Sequence, residues 1–292
     1  MRRWKSDRGL ETRMILTMFL LAVLYLAFLA VLYYLGAGFL TMLAFMGAFM
    51  FIQYYYSDKL VLRSMNAKIV SENESPELHQ MIDRLCAIAD LPKPKIAIVD
   101  ISVPNAFATG RNQKNSVVAV TTGLMKVLSP AELEAVVGHE LTHIKNRDSM
   151  ILTIASFLSS LASMIVQYAF FFGRGNRDRD SGGIIVIWVV SVLVYAVSYI
   201  LIRMLSRYRE FAADRGAAII TGQPSNLASA LIKISGVMPR IPTQDLRKVE
   251  SNNAFFIIPA VSKSSILKLF STHPPVEERI AALEKISREL ET

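Results

Sequence analysis

From Met14 to Ser57 the chain contains no aspartate, glutamate, lysine, arginine or histidine. A single helix of that length, rising 1.5 Å per residue, would far overshoot a hydrocarbon layer of about 30 Å, whereas two helices of roughly 20 residues each match it. Leu35-Gly36-Ala37-Gly38 supplies a turn between them. The expectation is a tight hairpin, with spans near residues 14–34 and 38–56 and both ends on one side of the bilayer. A signal peptide competes for the same N-terminus, because Arg2, Arg3, Lys5 and Arg8 precede the apolar run. The run is too long for that, and no small-residue cleavage site follows it.

Two further uncharged segments, Ser149 to Gly173 and Ser181 to Ile202, are long enough to cross. They give a second hairpin with spans near 150–172 and 183–202. Composition agrees: 52% of residues are hydrophobic and 19% charged, and the mean hydropathy is +0.37, where soluble chains carry about a quarter charged residues. Basic residues flank the ends at Arg2, Arg3, Lys5, Arg8, Arg13, Lys59, Arg63, Arg203, Arg207 and Arg209, which puts those ends in the cytosol of a cell (inner) membrane. The loop Arg174 to Asp180 opposes this with three arginines beside two aspartates. The net charge of +8 is dispersed, with no basic stripe interleaved with aromatics. That argues for anionic lipid over nucleic acid as the counter-surface. Cys86 is the only cysteine, which excludes an intramolecular disulfide and four-cysteine metal sites.

The expected organisation is therefore a cytosolic N-terminus with a transmembrane hairpin (1–57), a first catalytic block (58–149), a second hairpin (150–202) and a second catalytic block (203–292). The two polar blocks form one domain, mainly α with a small β-sheet (α+β). Ser75-Pro76-Glu77 opens an amphipathic helix in which Leu78, Ile82, Leu85 and Ala89 share a face; His79 falls off that face and is expected in solvent. Lys95 to Ile101, Asn105 to Thr109 and Ser116 to Thr121 read as strands, with a polar turn from Gly110 to Asn115.

Ser129-Pro130-Ala131-Glu132 is a helix start with a capping box and proline at the first helical position. The helix it opens carries His139-Glu140-Leu141-Thr142-His143. Histidines four apart stack on one face, so both imidazoles can reach one zinc ion, with the Glu140 carboxylate beside them to hold the metal's water. In a chain with 4 histidines such a pattern arises by chance in fewer than about one case in a hundred. A catalytic zinc keeps three protein ligands and an open position. After the fourth span, Arg207 to Asp214 continues as a helix with Glu210 and Asp214 four apart. Glu210 is the expected third ligand, and Asp214 the acceptor of a liganding imidazole's other N–H. The alternative has both acids paired with Arg207, Arg209 or Arg215 on a wet surface. Against that alternative, the second hairpin returns the chain, and with it Glu210, to the face it left at Asp148.

These residues, with Pro104-Asn105-Ala106-Phe107-Ala108-Thr109-Gly110 and Thr272-His273-Pro274-Pro275 followed by Arg279, resemble the HtpX-like membrane metalloproteases, relatives of the type I CAAX prenyl proteases. The resemblance implies a gluzincin-type domain with one Zn²⁺ per chain, which cleaves misfolded or damaged membrane proteins in stress-response quality control. It also implies that Asn105, Ala106, Phe107 and Ala108 bind substrate backbone as an added strand, that His273 steadies the transition-state oxyanion, and that Arg279 stands beside the ligands. Prenyl-protein endoproteolysis is the second reading, although the prenyl proteases carry more spans. A non-catalytic scaffold with a structural zinc is the third, disfavoured because such sites usually recruit cysteine. Phe255-Phe256-Ile257-Ile258 reads as core, with a substrate groove or the lipid interface as alternatives.

Overall fold

The computed structural model describes residues 7–34, 39–172, 181–241, 257 and 273–291. The expected turn at 35–38, the arginine-rich loop at 174–180, Arg2, Arg3, Lys5, Thr272 and most of the Phe255 to Ile258 stretch lie outside them. In chain order the elements are α1 (Arg8–Tyr34), α2 (Phe39–Ser64), β1 (Lys68–Ile69), α3 (Pro76–Ala89), β2 (Lys95–Val99), β3 (Ala106–Asn112), β4 (Asn115–Thr121), α4 (Thr122–Val127), α5 (Pro130–Lys145), α6 (Asp148–Phe172), α7 (Ser181–Thr221), α8 (Pro224–Val237), a 3₁₀ turn (Met238–Arg240) and α9 (Val276–Glu291).

The chain divides into two compact units. One holds Asp7–Tyr54 and Ile151–Ser206, the other Tyr55–Met150 and Arg207–Thr292. In the first, Leu21, Tyr25, Phe28 and Leu32 of α1 meet Ala155, Leu161, Ala162 and Ile165 of α6 and Val194 and Leu205 of α7. The Tyr25 hydroxyl donates to the Ala155 carbonyl at 2.6 Å. Ile15, Phe19, Leu26, Ile185 and Leu193 face outward, an inverted arrangement that suits lipid and not water. Among the described residues three helical segments are long and apolar enough to cross a bilayer: Arg8–Tyr34, Asp148–Gln167 and Ile185–Thr221. α2, which is not one of these three, covers most of the second expected span and continues to Ser64.

In the other unit the sheet has the order β1-β2-β4-β3, with β2 and β4 parallel and the outer pairs antiparallel. Ser116 to Thr121 of β4 are all buried, as its Val-rich sequence and central position require. Among the described residues β3 is an edge strand, Ala106 standing opposite Val120 and Thr109 opposite Val117. It runs on to Asn112, so part of the expected polar turn is strand. β1 has only two residues, too few for a periodic signal. Leu78, Ile82, Leu85 and Ala89 pack into the core with Val136, Val137 and Leu141 of α5. His79 is buried too, its Nε2 3.1 Å from the Val70 carbonyl; that corrects the solvent-facing expectation, because the β1–α3 connection folds over the ring. Ile257 is buried in the same core.

α5 begins with the expected capping box. The Ser129 hydroxyl accepts from the Glu132 N–H, and the Glu132 carboxylate accepts from the Ser129 N–H at 2.8 Å. Glu132 also accepts from Ser229 Oγ at 2.6 Å and Lys233 Nζ at 2.8 Å on α8. The start of the zinc-motif helix is thus fastened to its neighbour by one carboxylate.

Candidate metal centre

The two helices that carry the ligand candidates can touch only because their crossing lacks side chains. A Cβ on Gly216 of α7 would lie 2.3 Å from Thr142 Cγ2 and 2.6 Å from its Oγ1, and one on Gly138 of α5 would lie 3.3 Å from Thr221 Cγ2. Thr142, fully buried, donates its hydroxyl to the Gly138 carbonyl at 2.9 Å. This approach brings the C-terminal part of α7 alongside the histidine face of α5.

His139 Nε2 and His143 Nε2 are 3.0 Å apart, and the Glu210 carboxylate lies 3.6 Å from the first and 3.5 Å from the second. His139 and Glu210 are buried and His143 is half-buried. The wet-surface account of Glu210 and Asp214 therefore does not hold: Arg215 pairs with Glu289, Arg209 with Asp148, and Asp214 lies in the interior. Each imidazole turns its other nitrogen to a carboxylate. His139 Nδ1 is 2.9 Å from Asp214 Oδ1, and His143 Nδ1 is 2.6 Å from Asp148 Oδ2. With Nδ1–H donating in both rings, both Nε2 atoms present lone pairs toward one point. Two lone pairs 3.0 Å apart repel unless a cation lies between them. Ligands about 2.0 to 2.1 Å from a tetrahedral zinc stand roughly 3.3 Å from each other. Glu210 Oε2, buried and without a hydrogen bond among the described residues, with the Arg279 guanidinium 3.5 Å away, offers the third donor. The donor set fits zinc.

Glu140 is buried beside this cluster, and the backbone of Ala108 on β3 is close enough to favour its charged form slightly. Burial raises its proton affinity above the ordinary carboxylate range and the Glu210 charge adds to this, while the two imidazoles oppose it. Arg279, from the first turn of α9, is fully buried and clasps Asp214 through Nε at 2.9 Å and Nη2 at 2.6 Å. Its Nη1 donates to the Ile257 carbonyl at 2.9 Å and lies 3.5 Å from Glu210 Oε2. His273 Nε2 is 3.5 Å from Glu210 Oε1; burial leads in lowering its pKa, with Arg279 and the other imidazoles adding to it against the pull of Glu210.

Of the expected strand residues, Ala106, Phe107 and Ala108 belong to β3. Asn105 precedes it: fully buried, it accepts from the Ile257 N–H at 2.9 Å through Oδ1. The sequence suggested no site role for Asp148, and for Arg209 only a topological one or a surface pairing with Glu210 or Asp214. Their signal was faint, an acid five residues beyond His143 and an arginine immediately before Glu210. Past α5, Arg147 takes a left-handed backbone (φ 57°), which turns Asp148 back toward His143. A cleft next to the histidine is lined by Thr109, Gly110 and Arg111 of β3 and by His143, Arg147 and Asp148.

Residues 72–287 match the family described as Peptidase family M48. The chain is 65% identical to Protease HtpX homolog 2 of Methanosarcina mazei over 99% of both chains. It is 59% identical to Protease HtpX homolog of Moorella thermoacetica, over 99% of this chain and 98% of that one. Its fold is similar to the crystal structure of S. mikatae Ste24p, with a TM-score of 0.57 at 19% identity over 94% of this chain and 67% of the other.

Proposed function

The chain belongs to peptidase family M48 and is a membrane-anchored zinc metalloendopeptidase; from that premise we propose that His139, His143 and Glu210 hold one zinc ion and that Glu140 is its general base. The observation that carries this reading is the convergence of two imidazole Nε2 atoms and the buried Glu210 carboxylate on a single point. Zinc bound there supplies a Lewis acid for the scissile carbonyl and a water whose pKa falls to about 7. Glu140 would take the proton of the attacking water and hand it to the leaving amine. Its raised proton affinity suits the second half of that task, since the carboxyl must hold the proton until the amide nitrogen needs it. His273, 3.5 Å from Glu210, donates to the developing oxyanion as a neutral ring.

Polypeptide enters as an added strand on β3. Among the described residues this is an edge strand, and the backbone of Ala108 on it lies by Glu140; backbone pairing there accepts many sequences. Such tolerance suits a protease of misfolded or damaged membrane proteins. The basic residues Arg8, Arg13, Lys59, Arg63, Arg203 and Arg207 argue for a four-span anchor with the catalytic unit on the cytosolic side of a cell membrane.

Glu140→Gln protein tests the assignment. It is expected to retain one zinc per chain while peptide hydrolysis falls by about 10²- to 10⁴-fold. Hydrolysis at the wild-type rate removes Glu140 from the mechanism, and loss of zinc makes it a ligand instead.

A further inference from the structure

Beyond the ligands themselves, the structure assigns to Asp148 and Arg209 the positioning of His143, as an ion pair that sets the affinity of the site for zinc. This rests on the zinc reading above and deepens it. His139 is oriented by Asp214, which Arg279 clasps. His143 has the same kind of partner built from different parts. Asp148 is buried, its Oδ2 lies 2.6 Å from His143 Nδ1, and its other oxygen meets Arg209 Nη2. Arg209 is 2% exposed and also donates to the Asn146 carbonyl at 3.1 Å. It therefore binds both the acid and the C-cap residue of the helix that carries the histidine.

The consequence for the metal is specific. A buried carboxylate accepting from Nδ1–H fixes the tautomer in which Nε2 carries the lone pair, holds the ring at one angle and makes Nε2 a better donor. Removing the charge of Asp148 also leaves Arg209 without its counter-ion in the interior. Placement adds a second consequence. Asp148 opens α6, and Arg209 adjoins Glu210 on α7. The pair thus joins the point where the chain leaves the catalytic unit to the point where it returns, and α7 serves the metal with Glu210 and the histidine's partner with Arg209.

Zinc dissociation constants of the full-length chain, purified in detergent and measured by competition with a chromophoric chelator, test the assignment. Asp148→Asn is expected to weaken zinc binding by about 10- to 100-fold, with hydrolysis restored when free zinc is raised above the new constant. Arg209→Lys keeps the charge and is expected to stay within a few-fold of wild type, while Arg209→Met weakens binding as Asp148→Asn does. Cobalt-substituted Asp148→Asn protein is expected to show an altered visible spectrum, which a loss of stability alone would not produce. Wild-type zinc affinity in both Asp148→Asn and Arg209→Met overturns the proposal. If Asp148→Asn does not fold, the two Arg209 variants decide, and equal affinities in them overturn it. A wild-type chain that binds no zinc instead defeats the parent reading.

Discussion

Gly216→Ala should loosen the metal site although residue 216 ligates nothing. The new methyl carbon would sit 2.3 Å from Thr142 Cγ2, 2.6 Å from Oγ1 and 3.0 Å from Cβ, where ordinary contact begins near 3.4 Å. Thr142 has little room to yield: it is fully buried, branched at Cβ and bonded to the Gly138 carbonyl. Relief then requires α7 to move away from α5 by about 1 Å, an overpacking strain of about 1 to 3 kcal/mol. Metal–ligand distances tolerate only about 0.2 Å, and Glu210 lies less than two turns from Gly216 on the same helix. Zinc affinity should therefore fall by about 10- to 100-fold, equivalent to about 1.4 to 2.8 kcal/mol, measured by chelator competition on purified protein. Adding Thr142→Ala removes the two closest atoms and leaves only the 3.0 Å contact, so the double variant should recover most of the affinity. Wild-type affinity in Gly216→Ala, or no recovery in the double variant, refutes the argument that this crossing positions the third ligand.

Arg279→Met should destabilise the fold by about 3 to 5 kcal/mol, because it strands the buried Asp214 carboxylate, and zinc should be lost at the same denaturant concentration as structure. Chemical denaturation followed together with zinc release checks both. For Glu132, burial favours the protonated form, but bonds from Lys233, Ser229 and Ser129 outweigh it and bring the carboxyl down to about 2. A depressed folded-state pKa contributes stability that is complete above the ordinary 4.5 and drains away as pH falls toward 2. Thermal unfolding of metal-free protein should accordingly show Glu132→Gln destabilised by about 2 kcal/mol near neutrality, with the difference shrinking below pH 4.5 and vanishing only as the pH reaches about 2.

What could be read from sequence was whatever repeats along the chain or clusters locally. The uncharged run at 14–57, the capping box at Ser129 and Glu132, and the spacing of His139 and His143 are each decided within a few residues. Glu210, the third ligand candidate, was reachable because a membrane excursion of two apolar segments implied a return to the same face. Asp148 was not, because its use depends on a single left-handed residue, Arg147, which no periodicity announces. His79 was misread for a related reason. Helical phase says which side of α3 it occupies, but not that the chain around Val70 folds over that side and offers a carbonyl.

The same limit explains why Asn105 was grouped with the residues after it. In sequence it heads the strand, but its backbone and side chain are spent on different partners: its carbonyl accepts from the Thr121 N–H at 2.9 Å, and its Oδ1 from Ile257. Ile257 in turn gives its carbonyl to Arg279, which clasps Asp214 against His139. A continuous chain of bonds thus runs from the start of the edge strand to the first histidine, through a residue whose sequence neighbourhood suggests only apolar packing. That chain ties the strand proposed to receive substrate to the side chains proposed to hold the metal. A short amide at position 105 is suited to this where an aliphatic residue of similar size would only fill the space.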